Sequence, residues 1–334
     1  MSTVCINSRN GTPLVRKYQG NPIVTKDAIP YPSTFVSNAG VAKWQGQYVM
    51  LFKNSYAVPQ PGKHGEYHET VDHGLAFSKD GISWQIEPKP VLNLPAPYGG
   101  FWHDPRLTVI GDTVFITLAV WCRYGCLGAI LKTADFKNYE ILYITSPDNR
   151  NMVLFPEKVN GEYILLERPF PVYSKGKAEL FDIWITKSSD LQHWGTHQLL
   201  LSTDMVPFAN SKIGPGAPPV KTDKGWLQIF HSVDLDTSRG KNGWEEKWQK
   251  RYSAGIMLLD LSDPSKILGI APQPIMVPDE PYETENGWRN NVIFPTGMIP
   301  EENGELKIYY GAADTVMCLA EADINDLTAA CLNS

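Results

Sequence analysis

The chain has 334 residues, of which 43% are hydrophobic and 20% charged, and its formal net charge is −6 at pH 7. This acidic balance argues against nucleic acid or an anionic membrane as a partner, because both select basic surfaces. No run of about 18 apolar residues is present, which excludes a membrane-spanning helix. The first residues, MSTVCINSRNGTPLVRK, lack the apolar core of a secretory leader.

The cysteines indicate a reducing compartment. They are odd in number and scattered along the chain, at Cys5, Cys122, Cys126, Cys318 and Cys331. Cys122 and Cys126 are not accompanied by a second pair of metal ligands elsewhere in the sequence, so no zinc site is expected. We predict reduced thiols in a cytoplasmic protein that needs no metal.

Five segments of the chain resemble one another. Each joins an apolar run to a second run that ends in a small residue, an acid and often an aromatic residue. In chain order they are YVMLFK (48–53) with HGLAFSKDGISW (73–84), TVFITLAVW (113–121) with LGAILKTADFKNY (127–139), YILLERP (163–169) with FDIWITKSSDLQHW (181–194), WLQIFHSV (226–233) with YSAGIMLLDLSDP (252–264), and LKIYYGAAD (306–314) with MCLAEADINDL (317–327). The acids Asp80, Asp135 and Asp190 recur at one fixed interval, and we assign Asp263 as their equivalent after a longer insertion.

A repeat of roughly 50 residues made of short strands is typical of a β-propeller blade. The sequence therefore predicts an all-β fold, a five-bladed β-propeller formed by residues 1–334 as a single domain. The strands are nearly continuous apolar runs, as expected when blades stack face to face. The active site is expected on the axis, where the inner strands converge. The polar segment 234–251 is expected on the rim beside it, as are the loops 56–70 and 170–179.

An aspartate in GGFWHDPRL (99–107) is the first candidate for chemistry. Pro105 restricts Asp104 to extended backbone conformations. Neighbouring glycines allow close approach, aromatic rings can stack on a sugar, and Arg106 can hold or tune the carboxylate. The alternative is an aspartate at a strand start that only caps a turn.

A second group of candidates is cationic. It comprises Arg150, Arg168, Lys212 and His231, all in the third and fourth units. Two guanidinium groups, an ammonium and an imidazole that converge on one point describe a phosphate site. The alternative is that each pairs with a local acid such as Glu157 or Glu167. No glycine-rich P-loop precedes a helix, so a nucleoside triphosphate is not implied.

At these residues the chain resembles glycoside hydrolase family 130, the inverting β-mannoside phosphorylases and related β-mannosidases. The resemblance runs from NPIV (21–24) to YYGAAD (309–314) and includes FVSNAG (35–40), SKDGISW (78–84), HDPRL (103–107), NRNMVLFPEK (149–158), ERP (167–169), DIWITKSSDLQHWG (182–195), KIGPGAPP (212–219), GWLQIFH (225–231), LLDLSDP (258–264) and NVIFPTG (291–297). This many segments in a fixed order make the resemblance specific, and it implies the same five-bladed fold.

The resemblance also implies residue roles. Asp104 stands at the position of the general acid, and the four cations stand where the phosphorolytic members bind inorganic phosphate. By the same resemblance, the residues that line the mannose subsite are Asn38, Arg106 and Asp314, and Tyr252 is a neighbour of the phosphate or the sugar. Lys53 and His103 depart from the common family pattern and are also expected at the sugar subsites. The glycosidase members lack these cations and use added acids, so the cations here favour phosphorolysis.

One acid and a cationic pocket suit a phosphorylase. An inverting hydrolase needs a second carboxylate to activate water, whereas phosphate is already an anionic nucleophile. The predicted reaction converts a β-mannoside and phosphate into α-D-mannose 1-phosphate, with phosphate as co-substrate and no cofactor. Burial beside Trp102 and His103 is expected to raise the pKa of Asp104. The resemblance adds that this acid acts either directly or through the mannose 3-hydroxyl.

Two other classes of function remain open at this point. A β-mannosidase would need a base, for which Glu66, Glu69 and Glu283 are candidates. A sugar-binding propeller without catalysis would have no use for a phosphate site. Within the phosphorylase interpretation, β-1,4 linkages are favoured over β-1,2 and β-1,3, and the acceptor depends on the rim loops. The family resemblance also implies a homo-oligomer.

Overall fold

Five antiparallel sheets form the blades of a β-propeller. The computed structural model describes residues 4–7, 13–56, 70–171, 180–239 and 249–333. The strands are β1 Val15–Lys17, β2 Phe35–Trp44, β3 Gln47–Tyr56, β4 Thr70–Ser78, β5 Gln85–Ile86, β6 Phe101–Ile110, β7 Thr113–Cys122, β8 Gly125–Thr133, β9 Glu140–Ile144, β10 Asn149–Leu154, β11 Tyr163–Pro169, β12 Ile183–Ser188, β13 Gly195–Leu201, β14 Lys212–Pro215, β15 Val220–Lys221, β16 Trp226–Leu235, β17 Lys250–Leu259, β18 Ile267–Ile270, β19 Ile293–Pro300, β20 Glu305–Ala312 and β21 Val316–Asp323. The helices are α1 Pro281–Thr284 and α2 Ile324–Leu332, with 3-10 turns at Lys26–Ala28, Pro97–Gly99 and Thr203–Met205.

Each blade runs outward from the axis in strand order. The orders are β2-β3-β4-β5, β6-β7-β8-β9, β10-β11-β12-β13, β14-β16-β17-β18 with β15 beside β16, and β19-β20-β21-β1 for blades 1 to 5. The five paired segments of the sequence are the second and third strands of the five blades, so the repeat and the five-bladed prediction are confirmed. Neither helix within the described residues has the length and apolar character that a membrane span requires.

The apolar core lies between the blades. Five clusters of buried apolar side chains each join two neighbouring blades, and together they follow the ring around. The strand interiors are buried on both faces; in β3, for example, the five residues from Tyr48 to Phe52 are all buried. This explains why the central strands are continuous apolar runs rather than alternating patterns.

The recurring acids fold the turn that follows the third strand of each blade. A carboxylate oxygen accepts hydrogen bonds from the backbone N–H groups two and three residues later, which is an Asx turn. The acids are Asp80, Asp135, Asp190, Asp260 and Asp323 in blades 1 to 5. The assignment of Asp263 as the fourth equivalent is therefore wrong. The long insertion in blade 4 hid the true spacing, and Asp263 instead donates its backbone N–H to Asp260 at 2.9 Å.

The ring is closed by the N-terminal strand. β1 adds to the outer edge of blade 5, with Lys17 opposite Ala320 of β21. The Lys17 ammonium donates to Glu283 Oε2 at 2.6 Å and to the carbonyl of Val277 at 2.9 Å, and it also contacts Asp279. Glu283 is completely buried, and the Tyr310 hydroxyl donates to its other oxygen at 2.9 Å. The closing strand is therefore held by a buried ion pair as well as by strand hydrogen bonds.

We expect Lys17→Met to lower the free energy of unfolding by about 3 kcal/mol, because it leaves the buried Glu283 carboxylate without its ammonium partner. Burial already raises the pKa of Glu283, so the native state binds this proton more readily than the unfolded state does. The loss should therefore shrink as the pH falls and the carboxyl becomes neutral. Urea unfolding at several pH values measures it.

Lys43→Met is the matched control, because Lys43 makes an exposed ion pair with Glu301 at 2.7 Å. Exposed pairs contribute about 0–1 kcal/mol. Equal destabilisation by the two substitutions would show that the buried pair does not hold the ring closed.

Candidate active site

Bulges on the inner strands aim polar side chains at the axis. In β2, β6 and β10 the register of strand pairing shifts at a bulge, and a residue with positive φ lies within each bulge. These residues are Asn38 (52°), Asp104 (51°) and Asn151 (55°). Asn and Asp tolerate this left-handed conformation better than other non-glycine residues, and a bulge redirects the side chains of its strand. Three blades thus present an amide or carboxylate at equivalent positions.

The expectation that Pro105 holds Asp104 in an extended conformation is wrong. The β6–β7 ladder is interrupted between His103 and Arg106, so Asp104 has no cross-strand partner and adopts a φ of 51°. The bulge overrides the preference that proline imposes on the preceding residue. The consequence is that the carboxylate faces the axis instead of a turn.

Two adjoining cavities open at this end of the axis. The smaller, of about 70 Å³, is lined by Asn38, Asp104, Arg150, Asn151, Arg168, Lys212, Tyr252, Arg289, Val292, Phe294 and Asp314. The larger, of about 510 Å³, is lined by Phe35, Asn38, Lys53, Ser55, Val71, Phe101, His103, Asp104, Trp121, Arg150, Lys212, Lys250, Tyr252, Trp288, Arg289 and Asp314. The small cavity is therefore polar and cationic, whereas the large one combines polar groups with aromatic rings.

Asp104 lies where the two cavities meet. Its side chain is buried, and Asn38 donates to Oδ1 at 2.9 Å while the Arg150 guanidinium pairs with Oδ2. Burial pushes the pKa of Asp104 upward, but the charges of Arg150 and Lys53 outweigh it and hold the pKa well below its usual range. The expectation that burial raises this pKa is wrong, because a guanidinium pairs directly with the carboxylate.

The cations of blades 3 and 4 meet at the small cavity. Arg150 and Arg168 are directly opposite each other on β10 and β11. Like charges placed opposite each other destabilise a sheet, so this pair favours an anionic ligand. The Nε atom of buried Arg168 has no hydrogen-bond partner among the described residues. The Lys212 ammonium lies 4.9 Å from the centre of the Phe181 ring.

Glu157 and Glu167 do not neutralise these cations. Glu157 pairs with Lys221, and Glu167 accepts hydrogen bonds from Asn149 at 2.7 Å and His197 at 2.6 Å. Pairing with these two acids, the alternative left open by the sequence, is therefore not what the structure shows.

Crowding of positive charge alters the protonation of the cations. Burial, with the neighbouring charges of Arg168 and Lys250, lowers the pKa of Lys212 to about 6. Burial and the charge of Arg150 lower the pKa of Arg168 to about 9. Both shifts follow from placing like charges together in a region of low dielectric. An anion bound in the small cavity would relieve them.

Two of the predicted site residues lie behind the cavity walls. His231 is completely buried, and its Nε2 is 3.2 Å from Arg168 Nη1. The ring rests on Gly214, where even a Cβ atom would come within 2.4 Å of it. Burial and the charge of Arg168 hold the pKa of His231 well below its usual value, so the imidazole is neutral. We therefore expect His231 to orient Arg168 rather than to contribute charge.

Arg106 occupies a comparable position below Asp104. Its guanidinium donates to the carbonyls of Asp104 at 3.0 Å and Pro105 at 3.1 Å, and also to the carbonyl of Gly216 on the opposite side of the axis. It lines neither cavity. Arg106 thus supports the bulge that carries Asp104, while its predicted sugar contact stays a prediction.

The other predicted sugar-binding residues do line the cavities. Asn38, Tyr252 and Asp314 border both, and Lys53 and His103 border the larger one. Arg289 donates to Asp314 Oδ2 at 3.1 Å. All five residues thus border a cavity that Asp104 also lines.

Several lining residues were missed by the sequence analysis. Asn151 accepts from Arg150 Nε at 3.3 Å, and the rings of Phe35 and Trp288 lie 5.7 Å apart at the wall of the larger cavity. One available signal is the repeat of Phe-x-x-Asn/Asp in FVSN (35–38) and FWHD (101–104), which marks equivalent bulges. Arg289 and Trp288 follow no such pattern and come from a loop.

One of the three candidate bases for hydrolysis, Glu283, does not lie at this site. Glu283 is completely buried against Lys17 and lines neither cavity. Glu66 and Glu69 lie outside the described residues. Within the described ranges, no group of His, Cys, Asp and Glu side chains is placed to hold a metal ion.

Known proteins resemble this chain in sequence and in fold. The model of glycoside hydrolase family 130, described as beta-1,4-mannooligosaccharide phosphorylase, matches residues 62–332. A beta-1,2-mannobiose phosphorylase of Listeria innocua is 36% identical over 76% of this chain and 66% of that protein. A beta-1,4-mannooligosaccharide phosphorylase of Ruminococcus albus is 31% identical over 94% of this chain and 90% of that protein. The solved structure of the beta-1,2-mannobiose phosphorylase from Listeria innocua with beta-1,2-mannobiose superposes with a TM-score of 0.79 at 27% identity, covering 96% of this chain and 99% of that one.

The propeller with its axial acid and cations is that of an enzyme of the glycoside phosphorylase class. The chain belongs to glycoside hydrolase family 130. The family and the fold predicted from the sequence are thereby confirmed.

Proposed function

We propose that this enzyme cleaves β-mannosides with inorganic phosphate and inversion, releasing α-D-mannose 1-phosphate and a shortened acceptor. The observation that carries the proposal is the small cavity, where Arg150, Arg168 and Lys212 lie beside a single acid, Asp104, that both cavities share. Guanidinium and ammonium groups bind phosphate oxygens through charge-assisted hydrogen bonds. The mannose ring fits between this anion site and Asn38, Tyr252 and Asp314.

The reaction balances with these groups. A phosphate oxygen forms a bond to the anomeric carbon from one face while the glycosidic C–O bond breaks on the other. The proton that the departing oxygen needs comes from Asp104, either directly or through the mannose 3-hydroxyl. Positive charge developing on the sugar ring is stabilised by the adjacent phosphate dianion, as in electrostatic catalysis generally.

Phosphate binding and the acidity of Asp104 are coupled in this proposal. Arg150 pairs with Asp104 and also lines the small cavity. A bound phosphate dianion competes for this guanidinium and places negative charge near the carboxylate, and both effects raise the pKa of Asp104. The acid then becomes able to hold a proton when the nucleophile is present.

Hydrolysis is less well supported. An inverting hydrolase needs a second carboxylate placed to activate water. Among the described lining residues the other acid is Asp314, which is paired with Arg289. Phosphate as the nucleophile requires no such base.

The finer assignments form part of the proposal. We favour β-1,4 linkages because the Ruminococcus albus relative and the family description carry that name, while other relatives are named for β-1,2 linkages. Phosphate is a co-substrate and no cofactor is required. None of the five cysteines, all of which lie in the described part of the chain, forms a disulfide, which suits a reducing cytoplasm. The homo-oligomer implied by the resemblance stays a prediction.

Product analysis on a panel of β-1,4-, β-1,2- and β-1,3-mannobioses, with and without phosphate, tests the proposal. We expect phosphate-dependent α-D-mannose 1-phosphate from one linkage. Free mannose at equal rates in both conditions would make the enzyme a hydrolase and overturn the proposal.

Phosphate binding should take up protons at pH 8. Lys212, with a pKa of about 6 in the free enzyme, is largely neutral at that pH, and a bound dianion raises its pKa so that the ammonium re-forms. We expect an uptake approaching one proton per phosphate in the wild type, measured by titration calorimetry in buffers of different ionisation enthalpy. Lys212→Met should remove the part of the uptake that Lys212 contributes and leave at most what Asp104 takes up, and a buffer-independent wild-type enthalpy would contradict the prediction.

A further inference from the structure

Exposed aromatic rings are concentrated at one corner of the propeller. Among the large apolar side chains that are exposed in the described part of the chain, the aromatic ones are Tyr98 (62%), Phe101 (47%), Trp121 (41%) and Tyr124 (53%). All four belong to blade 2, either in β6 and the turn before it or around the β7–β8 hairpin. We call these four side chains the aromatic strip. Exposed apolar residues scattered singly need no explanation, whereas a contiguous group marks a binding surface.

The aromatic strip is continuous with the active site. The Trp121 ring meets that of His103 edge-on at 6.3 Å, and His103 precedes Asp104. The Arg150 guanidinium lies 5.3 Å from the centre of the Trp121 ring. Phe101 and Trp121 are opposite each other on β6 and β7, and both line the larger cavity. The inner half of the strip is therefore part of the cavity wall.

The outer half of the strip lies beyond the cavity. Tyr98 and Tyr124 line neither cavity, and their rings meet edge-on at 5.6 Å. Arg123 covers one face of Tyr124, with its guanidinium 4.6 Å from the ring centre. The outer pair of rings is thus held in one arrangement although both rings are exposed to water.

The backbone that presents Tyr98 is strained. Tyr98 has a φ of 58°, in the left-handed region that bulky residues avoid. The turn is anchored by Gly100, where a Cβ atom would lie 2.4 Å from the carbonyl oxygen of Trp121. Such strain persists where surrounding structure or function requires it. Here it belongs to the turn that leads from Tyr98 into β6, whose first residue, Phe101, lines the larger cavity.

The chemistry of the strip suits a chain of sugar rings. Pyranose rings carry apolar C–H faces with partial positive charge, which are attracted to the electron-rich faces of aromatic rings. The mannose to be transferred lies beside Asp104, next to the phosphate in the small cavity, so the rest of the substrate must leave through the larger cavity. Phe101 and Trp121 line that path, and Tyr98 and Tyr124 lie close to them along the chain, in the turn before β6 and in the β7–β8 turn.

We infer that the aromatic strip is an acceptor-side binding site for manno-oligosaccharides, in which Tyr98 and Tyr124 bind a sugar ring outside the cavity. This inference rests on the proposed function and deepens it, since it makes the enzyme selective for chain length. A disaccharide ends within the cavity and gains nothing from the outer tyrosines. A tetrasaccharide reaches them.

The double substitution Tyr98→Ala with Tyr124→Ala tests the inference. We expect kcat/KM for phosphorolysis of β-1,4-mannotetraose to fall at least 10-fold, mainly through KM, while β-1,4-mannobiose changes less than 2-fold. If the linkage panel selects β-1,2 or β-1,3, the matched di- and tetrasaccharides of that linkage are used. The double variant Tyr98→Phe with Tyr124→Phe should restore wild-type selectivity, because it keeps the rings. Leu199→Ala, at an exposed position on blade 3, is the control.

A direct binding measurement distinguishes failure of this inference from failure of the proposed function. Calorimetric titration of the tetrasaccharide without phosphate measures affinity in the absence of turnover. If the wild type is inactive on every mannoside but binds the tetrasaccharide more tightly than the double alanine variant, the function fails and the inference stands. Equal selectivity and equal affinity in the two proteins would overturn the inference. A changed oligomeric state with unchanged sugar binding would assign the strip to self-association and also overturn it.

Discussion

Replacing Asp104 with asparagine should lower kcat about 1,000-fold, within the range of about 100- to 10,000-fold that general acid catalysis contributes. The amide has nearly the same shape and keeps a contact with Asn38, whose Nδ2 is 2.9 Å from Asp104 Oδ1. It cannot deliver a proton to the departing oxygen. Assays of α-D-mannose 1-phosphate formation at saturating phosphate measure this loss.

The same variant should bind phosphate more tightly than the wild type. In the free enzyme Arg150 is paired with the Asp104 carboxylate, and the amide neither holds the guanidinium nor repels an incoming dianion. A lower phosphate Kd together with a lower kcat distinguishes loss of the acid from damage to the site. Retained turnover would overturn the assignment of the acid.

Asp112→Asn is the matched control for this experiment. Asp112 is exposed in the turn at the far end of the same strand pair, and the substitution removes an equal charge from the same blade. We expect unchanged kcat and unchanged phosphate affinity.

Replacing Arg168 with alanine should lower kcat/KM for phosphate about 100-fold while leaving the KM for the mannoside within a few-fold of the wild type. Removing a charged hydrogen-bond donor costs about 1.5–3 kcal/mol, and Arg168 lines the small cavity alone and not the larger one. Initial rates over a matrix of phosphate and mannoside concentrations separate the two effects.

Arg168→Lys provides the comparison. It keeps the charge but loses the planar fork that holds two phosphate oxygens, so we expect an intermediate loss. If alanine weakened mannoside and phosphate equally, or if both variants lost the same thermal stability and activity, Arg168 would have a structural role instead.

The architecture could be predicted from the sequence because every blade of a propeller must meet the same physical requirements. Each blade must bury a sheet on both faces, so each unit carries two apolar runs, such as those at 48–53 and 73–84 in the first unit. The turn acids Asp80, Asp135 and Asp190 recur because the same Asx turn is needed each time. Local patterns of this kind can be recognised in a sequence without knowledge of long-range contacts.

Candidate residues could also be named from the sequence, but their arrangement could not. The pattern around Asp104 indicated a carboxylate near the axis, whereas its left-handed φ and its pairing with Arg150 arise from a bulge and from a neighbouring blade. The depressed pKa of Asp104 follows from that pairing. His231 likewise counted as a cation when only the sequence was considered. In the structure, burial and the neighbouring charge of Arg168 lower the pKa of His231, so its imidazole is neutral.

By itself, then, the sequence determined the blade repeat, the buried strands and the residue types that meet at the axis, because each depends on neighbours close along the chain. Only the tertiary structure decided which of those groups touch one another, which protonation states they hold, and that the rings of Tyr98 and Tyr124 meet. These properties depend on distances between residues far apart in sequence and on the low dielectric of the closed ring, where charges interact strongly.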